Sequence, residues 1–153
     1  MQSLEMPETL KAAVRVEAQR RHGAACGTVT LPDDAFLPIQ ITGGPRPDYA
    51  VLFETATCAR NATNWSNTSG TLTQFWTASG TKPHLLLEQH IYGFTPRKNG
   101  VDSLQHQNEC GPASLSLCVV SYRWEPGEKR LKIVDRRNLI PRSRMQWDYR
   151  RPQ

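Results

Sequence analysis

A chain of 153 residues, with 38% hydrophobic residues, 11 prolines and 10 glycines, is long enough to bury its own core and too apolar to be disordered. No apolar run approaches the ~20 residues of a membrane-spanning helix, so we expect no membrane span. The formal charge of +5 is uneven: residues 1–122 carry 9 Lys and Arg against 10 Asp and Glu, and residues 123–153 carry 10 against 4. A basic C-terminal region suits an acidic partner, although no nucleic-acid-binding motif accompanies it.

Residues 1–25 predict an amphipathic helix that packs on the domain without belonging to its core. Pro7 suits a first helical turn, and Gly23 is expected to end the helix. The segment has no apolar secretory region, so an exported protein would carry its signal peptide outside this sequence.

Short β-branched and aromatic runs follow, separated by turn clusters such as "GGPRP", "SGTKP" and "EPGEK". They predict a mainly β domain over residues 26–140, either an antiparallel sheet or sandwich or a partial propeller-like arrangement, followed by a basic tail over residues 141–153. The clearest unit is "SLCVVSYRWEPGEKRLKIVD", in which two alternating runs flank a turn and predict a β-hairpin.

The four cysteines are Cys26, Cys58, Cys110 and Cys118. An even number predicts disulfides in an oxidising compartment, and the spacing fits no zinc motif. Of the three possible pairings we expect Cys26–Cys58 and Cys110–Cys118, because the first two flank one pair of strands and the last two close a short loop. The alternative is a cytosolic protein with buried free thiols.

The segment "LQHQNECGPASLSLC" resembles the nucleophile turn of papain-like peptidases, especially their bacteriocin-processing branch. Such enzymes place a helix after the cysteine and their general-base histidine downstream of it. Here residues 113–124 favour a strand, and all four histidines precede Cys110. We therefore expect Cys110 to be half of a disulfide.

Residues 33–76 include "DDAFLPIQITGGPRPDYAVLFETATC" and "TSGTLTQFW". This pattern resembles the FG-GAP-like, propeller-blade-like modules of bacterial periplasmic proteins. The resemblance implies a periplasmic β protein, and some proteins of this kind inhibit cell-wall hydrolases, including lysozymes, or act as immunity proteins. The corresponding loop in the family is rich in carboxylates and often binds calcium, but here it has one acid, Asp48, and contains Arg46. We expect no metal there, and Asp48 should cap the turn or pair with Arg46.

No other motif indicates catalysis or a cofactor. Asp33 and Asp34 are adjacent, so in an extended segment their side chains would point in opposite directions. His84 and His90 are six residues apart in a predicted strand and should share a face, but a third metal ligand is not evident. We expect surface imidazoles, no metal site and no cofactor.

The loop "NATNWSNTSG" places Trp65 among small hydrogen-bonding side chains, a composition typical of protein-binding loops. The alternative is that Trp65 folds back over the sheet, as we expect for Trp76. The loops Asn61–Gly70 and Lys98–Glu109 are the predicted contact regions. The predicted partner-binding residues are Arg60, Asn64, Trp65, Asn67, Lys98, Asn99 and His106.

These patterns together predict a non-enzymatic binding protein, periplasmic or otherwise exported. It would be an inhibitor or immunity protein that covers the cleft of a cell-wall hydrolase or toxin effector. One alternative is a papain-like cysteine hydrolase that uses Cys110. A second is a nucleic-acid-binding protein that uses the basic C-terminal region. The oligomeric state stays open.

Overall fold

The computed structural model describes residues 8–60, 65–67, 69–78, 82–111 and 117–138. The chain is mainly β with an N-terminal helix, which confirms the predicted fold class. The helix, α1, spans Glu8–Cys26. The strands are β1 Val29–Thr30, β2 Phe36–Ile39, β3 Asp48–Leu52, β4 Thr57–Cys58, β5 Ser66–Asn67, β6 Gly70–Thr77, β7 His84–Ile91, β8 Gly93–Arg97, β9 Gly100–Gln105, β10 Cys118–Glu125 and β11 Arg130–Asn138.

Helix α1 is longer than the sequence predicts, because it passes through Gly23 and ends at Cys26. The following residue, Gly27, has a left-handed φ of 77°. Its backbone N–H donates to the Gly23 carbonyl oxygen at 2.8 Å, as expected for a residue that closes a helix. The prediction that Gly23 ends the helix is therefore wrong.

The strands form two antiparallel sheets and a small pair. Sheet 1 has the order β2-β3-β6-β7, and β5 pairs with the first residues of β6. Sheet 2 has the order β8-β9-β10-β11, which includes the predicted hairpin of β10 and β11. The chain passes from sheet 1 to sheet 2 at Tyr92, between β7 and β8. The small pair joins β1 to β4.

Sheet 1 is covered on both faces, so β3 and β6 are buried along their whole length. Alternate side chains of a strand point to opposite faces. One face packs on α1 in a cluster that includes Leu10, Val14, Ala18, Tyr49, Val51, Trp65, Leu72 and Trp76. The other face packs on sheet 2 in a cluster that includes Ala50, Leu52, Phe75, Phe94, Val101, Val120 and Tyr122. The predicted core position of Trp76 is confirmed, and α1, contrary to expectation, belongs to the core.

Both predicted disulfides are present. Cys26–Cys58 joins the end of α1 to β4, and Cys110–Cys118 joins the turn after β9 to the start of β10. The first closes a sequence separation of 32 residues and the second a separation of 8. Each disulfide therefore crosslinks two elements that are neighbours in the fold.

A network of polar groups between α1 and sheet 1 involves Glu88 of β7. Its carboxylate accepts hydrogen bonds from Gln74 Nε2 (2.7 Å), His22 Nε2 (3.0 Å) and Arg21 Nη1 (3.3 Å). Gln74 also accepts a bond from the Trp76 indole N–H at 2.7 Å. Burial by itself would raise the pKa of Glu88, but the bonds from His22 and Gln74 and the nearby positive charges outweigh burial and lower this pKa to about 2.

Removing each disulfide separately should destabilise the protein by different amounts. Replacing Cys26 and Cys58 with Ala should cost about 4 kcal/mol of unfolding free energy, and replacing Cys110 and Cys118 about 2.5 kcal/mol, because the longer loop gains more chain entropy when it is released. Urea unfolding of the two double variants measures both values. Equal losses would contradict a loop-entropy origin.

Glu88→Gln should lower stability at neutral pH by roughly 2 kcal/mol, because the buried Gln74 and the half-buried His22 lose their charged acceptor. The pKa of Glu88 is about 2 in the folded protein against an ordinary value of 4.5, so its contribution is complete above pH 4.5 and disappears as the pH falls toward 2. Unfolding curves between pH 7 and pH 2 should therefore converge for the wild type and the variant. A constant difference across that range would contradict this assignment.

Candidate functional site

The predicted partner-binding residues do not form one surface. Arg60, Asn67, Lys98 and Asn99 are exposed, and His106 is half-buried. Arg60 lies beside the end of α1, where its Nη2 donates to the Ala24 carbonyl oxygen at 3.3 Å. Lys98 and Asn99 form the β8–β9 turn, whereas His106 follows the opposite end of β9. Asn64 lies outside the described residues.

Trp65 is buried rather than presented to a partner. Its exposed fraction is 6%, and its ring packs against Phe53 and His22 at centroid distances of 5.2 Å. The indole N–H donates to the Ala56 carbonyl oxygen at 3.1 Å. Trp65 therefore covers sheet 1, and its prediction as a solvent-facing binding residue is wrong.

The second predicted loop, Lys98–Glu109, is largely strand, since residues 100–105 form β9. After it, Gln107–Glu109 form one 3-10 turn, and His106 Nδ1 accepts a bond from the Asn108 backbone N–H at 3.1 Å. The Cys110 sulfur is bonded to Cys118 and lies 3.1 Å from the His106 carbonyl oxygen. In this oxidised state Cys110 carries no thiolate, which the cysteine-hydrolase alternative requires.

His84 and His90 lie on opposite faces of sheet 1, contrary to prediction. His84 pairs with Thr77 and His90 with Leu72, and a bulge in β7 interrupts the register between these two pairs. One extra residue reverses the alternation of side chains beyond it. Among the described residues no group of three or more His, Cys, Asp or Glu side chains is arranged to hold a metal ion.

A groove of about 380 Å³ opens at one end of the sandwich, where two connections meet the ends of β6 and β7. One wall is the β2–β3 loop, the second consists of facing residues of β6 and β7, and the third is the β10–β11 turn. The lining residues are Thr42, Gly43, Gly44, Pro45, Thr77, His84, Trp124, Pro126 and Lys129. This volume accommodates a large side chain or a short loop of a ligand.

The Asp48 carboxylate holds the β2–β3 loop beside the groove. The residue is 0% exposed, and the carboxylate accepts bonds from the backbone N–H groups of Ile41 (2.9 Å) and Thr42 (2.8 Å). The hydroxyls of Thr42 (3.0 Å) and Thr77 (2.7 Å) also donate to it. These bonds compensate for burial of the charge and connect the loop to the end of β6. The predicted turn cap is confirmed, and Arg46 makes no ion pair with any described residue.

The β8–β9 turn supports the groove from the other side. Asn99 has a left-handed φ of 62°, and its carbonyl oxygen accepts a bond from the Trp124 backbone N–H at 2.8 Å. The φ of 75° at Gly43 favours glycine, and a Cβ atom there would lie 2.5 Å from Asn99 Oδ1, so the Asn99 side chain would have to shift. Asn99, a predicted binding residue, therefore positions the groove wall and Trp124.

The groove combines a half-buried aromatic ring and two prolines with polar groups at its edge. Trp124 supplies a large amphipathic surface, and Lys129 is an exposed cation. The side chain of His84 is exposed beside them. The chemistry of this lining is suited to an apolar or aromatic side chain next to an acidic group. The feature of the sequence that could have indicated this groove is Trp124, which directly precedes the "EPGEK" turn.

The basic residues of the C-terminal region divide between the described chain and the predicted tail. β11 carries Arg130, Lys132, Arg136 and Arg137, all on the edge strand of sheet 2. The tail, residues 141–153, lies outside the described residues.

Comparison of the chain with family models, with curated proteins and with solved structures found no match. Within the described chain, no helix combines the length and the apolar character required to cross a bilayer.

Asp48→Asn should destabilise the protein by about 2–3 kcal/mol, because the amide turns one acceptor into a donor that faces other buried donors. Hydrogen exchange of the Ile41 and Thr42 amides should become faster. Thr77→Val, which removes a single donor, is the matched control and should cost about 1 kcal/mol. Unchanged exchange at both amides in Asp48→Asn would contradict the role assigned to this carboxylate.

Proposed function

We propose that this chain is a non-catalytic binding domain of an exported protein and that the sandwich-end groove receives part of a partner protein. The observation that carries the proposal is the groove itself: Trp124, Pro45 and Pro126 meet there beside Lys129. Aromatic residues in well-packed pockets supply most of the binding energy of protein interfaces. The two disulfides support an exported location, because such bonds persist in oxidising compartments.

The loops around the groove are ordered before any partner arrives, which supports a tight-binding role. Five hydrogen-bonding contacts to the Asp48 carboxylate hold the β2–β3 loop. The Asn99–Trp124 backbone bond holds the opposite wall. Binding then requires little loss of loop entropy, so more of the contact energy contributes to affinity.

We further propose that this binding domain is an inhibitor or immunity protein that covers the cleft of a cell-wall hydrolase or toxin effector. Its support is the resemblance of residues 33–76 to periplasmic modules, since this segment includes Thr42–Pro45 of one groove wall and Asp48, which holds that wall. A protein that blocks a cleft needs a rigid surface rather than reactive groups.

The test is inhibition of peptidoglycan hydrolysis by a panel of a lysozyme, a lytic transglycosylase and an amidase. The wild-type protein should slow at least one of them at stoichiometric amounts. Trp124→Ala and Lys129→Glu should each weaken that inhibition at least about tenfold, or about 1.4 kcal/mol.

Arg20→Ala is the matched control, because Arg20 is exposed on α1, on the side of sheet 1 opposite to sheet 2, and does not line the groove. It should leave inhibition unchanged, and thermal unfolding should verify that all three variants are folded. Inhibition that survives both groove substitutions would place the contact elsewhere. Hydrolysis of peptidoglycan by the purified domain itself would overturn the non-catalytic assignment.

A further inference from the structure

Strand β11 presents an open edge. It pairs with β10, and no other described strand pairs with it. Residues 133–138 are exposed, including the apolar side chains of Ile133 (45% exposed) and Val134 (50% exposed). An edge strand has outward backbone N–H and C=O groups that can pair with a further strand.

A groove of about 580 Å³ lies beside this edge, between β11 and β7. Half of its lining is apolar and comes from Leu87 of β7, Tyr122 of β10, and Leu131 and Ile133 of β11; the other half is polar and includes Glu109. Leu131 and Ile133 are paired with Trp124 and Tyr122, on the face of sheet 2 that packs against sheet 1. A strand added next to β11 would direct every second side chain toward the apolar half of this lining.

The net positive charge of β11 favours one kind of partner strand beside it. The strand has four basic residues and one acidic residue, Asp135. Arg130 and Lys132 pair with Glu128, and Arg137 pairs with Asp102 and Asp135. Arg136 makes no ion pair with any described residue. Pairing of two copies through β11 would place like charges opposite each other, which disfavours self-association. An acidic strand would instead neutralise the edge.

We propose that β11 accepts an extended segment of a partner protein, with alternating acidic and apolar residues, as a fifth strand of sheet 2. The acidic side chains pair with the cations on the outer face of β11, which are Arg130, Lys132 and Arg137. The apolar side chains extend the lining of the inner face beside Leu131 and Ile133. β11 contains no aromatic residue on which an unpaired base could stack, so its surface favours a peptide over single-stranded nucleic acid. This surface is separate from the sandwich-end groove and does not rest on its proposed role.

The experiment measures binding of a fluorescent peptide of about ten residues, alternating Glu and Val, to the full chain by anisotropy at physiological salt. Alternate N-methylation of the same peptide removes half of its backbone donors but keeps its charge and side chains. The N-methylated peptide should bind at least about tenfold more weakly, because an edge strand binds through backbone pairing. A peptide with Lys in place of Glu should show no binding.

Lys132→Glu should weaken binding of the acidic peptide several-fold, because Lys132 lies on the face of β11 opposite Leu131 and Ile133. Arg20→Glu, the same charge change at a distant exposed site on α1, should have no effect. The amides of β11 should gain protection from hydrogen exchange when the peptide binds. The N-methyl comparison uses the wild-type protein and therefore stays valid if Lys132→Glu fails to fold.

Three results would overturn the proposal. They are absence of binding by the acidic peptide, equal binding of the N-methylated peptide, and tighter binding of a thymidine oligonucleotide of the same length. The last result would identify a nucleic-acid surface. None of them alters the inhibition test of the sandwich-end groove, which has a different readout and different variants.

Discussion

Burial of β6 on both faces is the constraint on which the rest of the fold depends. All eight of its residues are buried, so its alternate side chains need an apolar layer above the sheet and another below it. Helix α1 supplies one layer against Leu72 and Trp76, and sheet 2 supplies the other against Phe75. The thin apolar stripe of α1 is sufficient because the wide aromatic side chains of sheet 1 fill the space beneath it.

The polar groups of the interior occur where separate parts of the chain must be held together. Gln74 lies in the middle of β6 and needs partners, and it obtains them from Trp76 and Glu88. Glu88 also accepts bonds from Arg21 and His22 near the end of α1. Asp48 performs the same task at the end of sheet 1, where it joins a loop to β6. A buried carboxylate with several donors fixes geometry more specifically than apolar contact does. The sandwich-end groove follows from that fixed geometry.

The two proposed surfaces differ in their physical character. The sandwich-end groove is enclosed by ordered loops and presents Trp124, so it suits insertion of a side chain or loop. The edge of β11 offers backbone groups and cations, so it suits an extended strand. Both surfaces include residues of the β10–β11 hairpin. Its turn lines the sandwich-end groove, and its second strand, β11, forms the open edge. The sequence pointed to this hairpin as a structural unit, but the candidate binding residues were placed mainly in other loops.

The sequence by itself determined the strands and the hairpin, because alternation and turn residues act locally. It also indicated the cysteine pairing, since the two early cysteines flank one pair of strands and the two late ones close a short loop. It also indicated that Asp48 caps its turn, since a lone acid in a glycine-rich loop has donors within a few residues. Tertiary structure alone decided that Trp65 is buried, because its contacts with His22 and Phe53 come from distant segments. It also separated His84 from His90 through a bulge in β7, whose single extra residue reverses the faces. It formed the sandwich-end groove from the β2–β3 loop, the β10–β11 turn and the ends of β6 and β7, which meet only when the sheets pack.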